Sequence, residues 1–306
     1  MIHFTKLQSL NLQTMKIAYI IYQDQNKYTS PTSFDENPDL LKFLLEKGLD
    51  IEARIWDDPE VNWQQYDLAI LKSPWDYHEK FDAFNVWLNQ MEAAGVRLLN
   101  SYQTVRWNMD KHYLQEIIDA GFDVIPSTFL VQGDTPDLES LFEILSADKI
   151  IVKPCVSGGS KNTIALLRGH TADYANEINN LLLEGSYVVQ PFMQEIKDGE
   201  WSFIFFNGQF SHCLIKKPKE GDFRVQQFFG GTIHPVEPDA EIIKKAKEYL
   251  DTFGKDTFYA RIDGVMNAGD FVLMEIELIE PYLYLAYHPD AVNNYYKALV
   301  SQINKH

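Results

Sequence analysis

The sequence predicts an α/β protein with two or three subdomains around one cleft, and three observations carry that expectation. Strand signals at Ile17–Tyr22, Ile51–Trp56 and Leu68–Lys72 alternate with a helical pattern at Asn37–Lys47 that stops at Gly48, the signature of an α/β unit with a mostly parallel sheet. Farther on, Tyr187–Gln190, Gly199–Phe206 and Phe210–Lys217 follow one another with only turns between them, as antiparallel strands do. Finally, two apolar runs within 259–285 flank Asn267-Ala268-Gly269-Asp270, which reads as a β-hairpin. The chain has 306 residues, more than a typical single domain.

Composition narrows the function classes. A formal net charge of −17 repels nucleic acid and anionic membranes, which proteins approach with clustered Lys and Arg. The expected partners are therefore small-molecule substrates, with no nucleic acid and no membrane; a homodimer is compatible with the sequence. Cys155 and Cys213 are too few for a disulfide framework, no 18-residue apolar span occurs, and a reducing, cytoplasmic setting is expected. Residues 1–14 lack hydrophobic periodicity and read as an N-terminal extension ahead of the strand opening at Met15-Lys16.

In chain order, the loop after the strand Leu68–Lys72 comes first, because ligands of parallel sheets bind beyond the carboxyl ends of the strands. Lys72, Ser73, Trp75, Asp76 and Tyr77 either line a pocket for a small zwitterion or form an ordinary capped turn. A helix over Phe81–Ala94 and a short strand Val96–Leu99 follow, and near Asn100 the pattern changes. A helix is expected over Asp110–Ala120, with Lys111 in its first turn, where the dipole disfavours a cation unless an anion lies nearby. Phe122–Val131 reads as extended around Pro126. The strand Lys149–Pro154 delivers Lys153 to the turn Ser157-Gly158-Gly159-Ser160, either a plain hairpin or a place where backbone N–H groups approach phosphate. After a helix over Thr171–Leu183, the next strand leads from Gln190 into Pro191-Phe192. Lys216, Lys217, Lys219 and Arg224 form the densest basic cluster, an anion site or a solvated loop. A helix over Asp239–Phe253 then reaches the hairpin.

The hairpin register can be worked out in advance. A three-residue loop, Asn267–Gly269, would close on Met266 and Asp270 and pair Asp263 with Leu273. Period-two alternation then puts Asp263, Glu275 and Glu277 on one face and Ile262, Met266, Val272, Met274 and Ile276 on the other. Three acids without an interleaved lysine repel one another unless a cation sits between them, and hard oxygen ligands suit Mg²⁺. The alternative is an exposed polar face.

Taken together, Lys111, the strand-Lys-Gly loop at Lys153, the Gln190-Pro191 strand end, the basic cluster and the carboxylate hairpin occur in an order that resembles the ATP-grasp superfamily. The arrangement is similar to bacterial glutathione synthetase and to the cycloserine-forming cyclo-ligases, most specifically at Glu275-Ile276-Glu277-Leu278-Ile279-Glu280-Pro281. The resemblance implies two α+β lobes gripping ATP, over 101–189 and 190–306, preceded by a pre-ATP-grasp α/β domain over 15–100. It implies ATP and two Mg²⁺ as cofactors. Asp263, Glu275 and Glu277 would hold the metal, with Glu275 bridging the ions and Glu277 standing where the family commonly has Asn. Lys111 and Lys153 would contact ATP phosphates, the Ser157–Ser160 turn would be a lid over them, and Gln190 and Phe192 would lie along the adenine. Lys216 and Arg224 would act on the transferred phosphoryl group, and Gln226 would contact the substrate. The implied activity is an ATP-dependent carboxylate–amine ligase that works through an acyl phosphate on a small amino-acid or peptide-like substrate. An intramolecular cyclo-ligase and a non-catalytic nucleotide-binding regulator are the alternatives.

Overall fold

The computed structural model describes residues 15–23 and 35–305; the N-terminal extension expected over 1–14 lies outside the described residues. The first sheet is parallel, built from β1 (Lys16–Ile21), β2 (Asp50–Ile55), β3 (Leu68–Ser73) and β4 (Arg97–Leu99) in the order β2-β1-β3-β4. Its central strands carry the continuous apolar runs Ile17–Ile21 and Leu68–Leu71 because both faces are covered. Ala18, Ile20, Ala69 and Leu71 pack on Phe84, Trp87 and Leu88 of the helix Phe81–Ala93. Ile17, Tyr19, Leu68 and Ile70 face the helices Asn37–Glu46 and Ala291–Ile303.

The second sheet is antiparallel: β5 (Thr128–Leu130), β6 (Lys149–Pro154), β7 (Ile164–Leu167) and β8 (Tyr187–Pro191), ordered β5-β8-β6-β7. The third holds β9 (Glu200–Phe206), β10 (Gln209–Lys217), β11 (Thr232–Val236), β12 (Tyr259–Asn267) and β13 (Asp270–Glu277), ordered β11-β10-β9-β12-β13. Apolar faces of the helices Tyr113–Asp119 and Ala240–Phe253 cover the third sheet through Leu114, Ile117, Ala246 and Leu250. Among the described residues no helix is long and apolar enough to cross a membrane.

Several expectations are corrected. The helix expected over Asp110–Ala120 is shorter, Tyr113–Asp119, and a second one, Tyr102–Asn108, precedes it. Lys111 lies in the turn between them, so the dipole argument does not apply to it. Of the extended stretch around Pro126 only Thr128–Leu130 is a strand; before it, the Ile125 N–H donates to Leu273 O and the Leu273 N–H to Asp123 O, both at 3.0 Å. Strands β7 and β11 and the helix Ala291–Ile303 had no sequence expectation.

The hairpin departs from its expected register in two compensating ways. Its turn is Ala268-Gly269, both left-handed with φ of 52° and 93°, closing on Asn267 and Asp270, the geometry that matches the twist of the flanking strands. A bulge between Asp263 and Gly264 then shifts the ladder, so Asp263 pairs with Glu275 instead of Leu273. Gly264 permits it: a Cβ there would lie 2.3 Å from Val272 O. Asp263, Glu275 and Glu277 still share a face, but Met274 turns to the cleft and Val272 pairs with Val265. Phe271 and Leu273 take the apolar face with Ile262 and Ile276.

Candidate active site

Strands β6 and β8 on one side and β9, β10, β12 and β13 on the other enclose a cleft of about 360 Å³. Its wall includes Lys111, Lys153, Ser157, Gly158, Gly159, Ser160, Gln190 and Phe192, with Lys216, Arg224 and Gln226, and Asp263, Glu275 and Glu277. The structure thus brings these sequence-derived candidates to one place. Trp75 and Tyr77 join them from the first unit.

Lys72, Ser73 and Asp76 do not border the cleft. Lys72 is 1% exposed and its Nζ lies 2.7 Å from Glu36 Oε1. Glu36 also accepts from the backbone N–H groups of Leu283 at 2.8 Å and Leu285 at 3.0 Å. The buried charge is therefore fully engaged in scaffolding, which is how buried ions are tolerated. The Ser73 hydroxyl accepts from Asn37 Nδ2 at 3.1 Å. Asp76 accepts from Trp56 Nε1 at 2.7 Å and pairs with Lys80 at 2.7 Å.

The carboxylate face is not a bare set of acids. Arg261, two residues before Asp263 on the same strand and opposite Glu277, donates from Nε to Asp263 Oδ2 at 3.0 Å and pairs through Nη2 with Glu277. Lys216 pairs with Glu200 and stands 3.2 Å from Asp263 Oδ2; the Ser202 hydroxyl donates to Asp263 Oδ1 at 2.5 Å. Cations do interleave the acids, and they belong to the protein. The sequence argument from unrelieved repulsion is corrected accordingly; the oxygen-rich donor set that suits a hard divalent cation remains.

Burial raises Asp263, but Arg261 and Lys216 outweigh it and hold the carboxyl at about 2. Glu277 goes the other way: burial, reinforced by Asp263 and Glu275, pushes it up to about 7 against the pull of Arg261. Glu280, at the far end of the same face, rises to about 8, mainly through burial. Lys111 Nζ lies 3.0 Å from Glu275 Oε1. Burial would lower that lysine, yet the Glu275 carboxylate keeps it above its ordinary value. Lys153 has no such neighbour. Burial depresses it, Glu275 opposes this only in part, and among the described residues it has no ion pair.

The glycine turn leans on the first unit: a Cβ on Gly158 would lie 2.8 Å from the His78 ring, and Lys161 Nζ reaches Glu79 Oε1 at 2.8 Å. Opposite it, Arg224 is held by Asp222 at 2.8 Å and lies 3.6 Å over the Phe229 ring. Gln226 Oε1 is buried with no hydrogen-bond partner among the described residues. At the end of β8, Gln190 donates to Ser127 Oγ at 2.9 Å and Lys149 stands 3.7 Å over Phe192.

Sequence reasoning missed Arg261, Glu200 and Tyr284, a cleft-wall residue whose ring lies 5.7 Å from the Arg261 guanidinium. Arg261 carried a signal, since position i−2 on a strand shares the face of Asp263; Glu200 and Tyr284 carried none that was local.

The family model of the prokaryotic glutathione synthetase ATP-grasp domain matches residues 115–282. The chain belongs to the ATP-grasp family. Upstream, the model of the D-cycloserine synthetase DcsG N-terminal domain matches residues 17–100. The ATP-grasp chain is 26% identical over 294 residues to the cycloserine biosynthesis protein DcsG of Streptomyces lavendulae, an alignment covering 89% of this chain and 95% of that protein. The crystal structure of D-cycloserine synthetase DcsG superposes with a TM-score of 0.81 at 24% identity, covering 94% of this chain and 99% of that one. D-alanine–D-alanine ligase from Bacillus anthracis, in complex with ATP, superposes with a TM-score of 0.67 at 15% identity over 95% and 97% of the two chains. The protein is thus an ATP-grasp ligase, a class that forms C–N bonds using ATP.

Proposed function

We propose that this ATP-grasp ligase joins a carboxylate to an amine through an acyl phosphate, on a small amino-acid or peptide-like substrate. The observation that carries the reading is the charge pattern of the cleft. Lys153 is half-buried beside the glycine turn and among the described residues has no counter-ion, while every other lysine or arginine on the wall already has a carboxylate partner. A desolvated, unpaired ammonium calls for an anion, and a phosphate group supplies one.

In this reading residues 15–100 are the pre-ATP-grasp domain, and residues 101–189 and 190–306 are lobes that close on ATP. Lys111, Lys153 and the backbone of Ser157–Ser160 hold the phosphates; Gln190 and Phe192 flank the adenine. Asp263, Glu275 and Glu277 would hold two magnesium ions. When bound, magnesium neutralises charge on the transferring phosphoryl group. The side chains do the rest by position and countercharge. Arg224 and Lys216 orient the phosphoryl group and the carboxylate that receives it, and the free Gln226 Oε1 accepts a hydrogen bond from a substrate N–H. No side-chain nucleophile is required.

A second reading, cyclisation within one amino-acid derivative, draws support from the near full-length similarity to D-cycloserine synthetase and from Glu277 in place of the common Asn. Phosphate release from Mg-ATP, measured over a panel of amino acids, their derivatives and dipeptides, tests both. Turnover with one compound alone supports cyclisation, and a requirement for a separate amine supports ligation between two molecules. No release above background with any compound would overturn the proposal.

A further inference from the structure

Outside the cleft, on the turn that carries Lys111, three side chains converge that the proposed reaction does not use. Asp110, His112 and Cys155 each offer a ligand atom, and these atoms all lie within 4.8 Å of one another. They come from two segments tied together by the backbone: the Lys111 N–H donates to Cys155 O at 3.0 Å. His112 Nδ1 lies 2.6 Å from Asp110 Oδ1, and its ring stacks on Phe129 at 4.6 Å. The Cys155 thiol is 1% exposed and has no hydrogen-bond partner among the described residues.

From this geometry we propose that Asp110, His112 and Cys155 form a binding site for a transition-metal dication of the zinc class, separate from the carboxylate site. The donor types decide the metal. Thiolate and imidazole select zinc-like ions, whereas Mg²⁺ takes oxygen. Tetrahedral zinc with bonds of about 2.0–2.3 Å needs ligand atoms roughly 3.5 Å apart, so the Asp110–His112 pair, 2.6 Å apart, must open by about 1 Å and any pair near the 4.8 Å limit must close by about as much. The two exposed members can do so, since the Asp110 and His112 side chains are 43% and 44% exposed while Cys155 stays fixed in the interior. Solvent fills the fourth position. On binding, the metal–sulfur bond replaces the S–H bond and the thiol proton passes to water. Burial pushes the free thiol up to about 12, so metal uptake releases this proton. Occupancy would cross-link the segments bearing Lys111 and Lys153.

Cobalt(II) titration of the metal-free protein tests the proposal. One equivalent should bind with a thiolate-to-cobalt charge-transfer band, which zinc abolishes and excess Mg²⁺ leaves intact. Cys155→Ser should remove the band, and His112→Ala and Asp110→Asn should each weaken cobalt binding at least tenfold. Absence of the band in the wild-type protein, its persistence in Cys155→Ser, or its loss to Mg²⁺ would overturn the site. Should Cys155→Ser not fold, the two exposed variants decide, and unchanged cobalt affinity in both would overturn it.

Discussion

Asn108 treats Leu278 as a neighbouring strand would. Its Oδ1 accepts from the Leu278 N–H at 2.8 Å, and its Nδ2 donates to Ile276 O at 2.8 Å. The side chain thereby continues the ladder beyond the paired part of β13 and fixes the segment on both sides of Glu277. Asn108→Ala leaves the Leu278 N–H unpaired in the interior and should cost about 1–3 kcal/mol. Urea unfolding with an unchanged m-value checks it; an unaltered midpoint would show that water replaces the amide without loss.

Lys72→Met should behave as a stability variant. Removing the ammonium leaves the Glu36 carboxylate buried without its ion partner, a loss of roughly 3 kcal/mol, while nucleotide affinity stays within a few fold. Wild-type stability with weakened substrate binding would instead return Lys72 to the substrate role the sequence suggested.

Glu275→Gln should lower turnover by at least about a hundredfold with the fold intact, about 2.8 kcal/mol at 1.4 kcal/mol per decade, because it neutralises the proposed metal ligand and removes the ion partner of Lys111 together. Glu277→Asn should keep much of the activity, since an amide oxygen still reaches a cation. Equal damage from the two substitutions, read as kcat, would mean that the charge of Glu277 and its pairing with Arg261 are part of the chemistry.

Arg224→Ala should abolish ligation and leave Mg-nucleotide affinity within a few fold, since its guanidinium is proposed to meet the phosphoryl group in transfer. Isothermal titration with a non-hydrolysable ATP analogue separates the possibilities, and parallel loss of nucleotide binding would move Arg224 into the nucleotide site.

His212 supplies a pH signature. Its ring lies between Leu283 O and Ser211 Oγ, each at 2.9 Å, and burial lowers it to about 4. The unfolded chain then binds a proton that the folded one refuses, so this contribution is intact above about pH 6.5 and is lost as pH falls towards 4, at most about 3 kcal/mol. His212→Asn should flatten stability across that window; an unchanged slope in urea midpoints at pH 4–7 would assign the loss elsewhere.

The sequence made the parts of the cleft legible because each is local: a strand ending in Lys153, a glycine pair, alternating acids on a hairpin. Register was not legible. The bulge at Gly264 depends on how closely Val272 O approaches, and no periodicity reports that distance. Lys72 looked like a ligand because its partner, Glu36, lies 36 residues away and shares no pattern with it. Arg261 is legible two positions from Asp263 on the same strand face, but which acids it pairs with depends on the register with Glu277.

The hydrogen bonds that cross from the first hundred residues to the last thirty bear on how the protein could be divided. Glu36 holds the Leu283 and Leu285 N–H groups, Trp75 Nε1 donates to Glu280 O at 3.1 Å, and Asn100 Nδ2 donates to Leu278 O at 2.8 Å. The segment that closes one end of the cleft therefore takes its shape from the amino-terminal sheet. Grafting a foreign amino-terminal unit onto the ATP-binding lobes would strip those backbone groups of their partners, so new substrate ranges are more readily reached by point changes on this scaffold than by exchanging its parts.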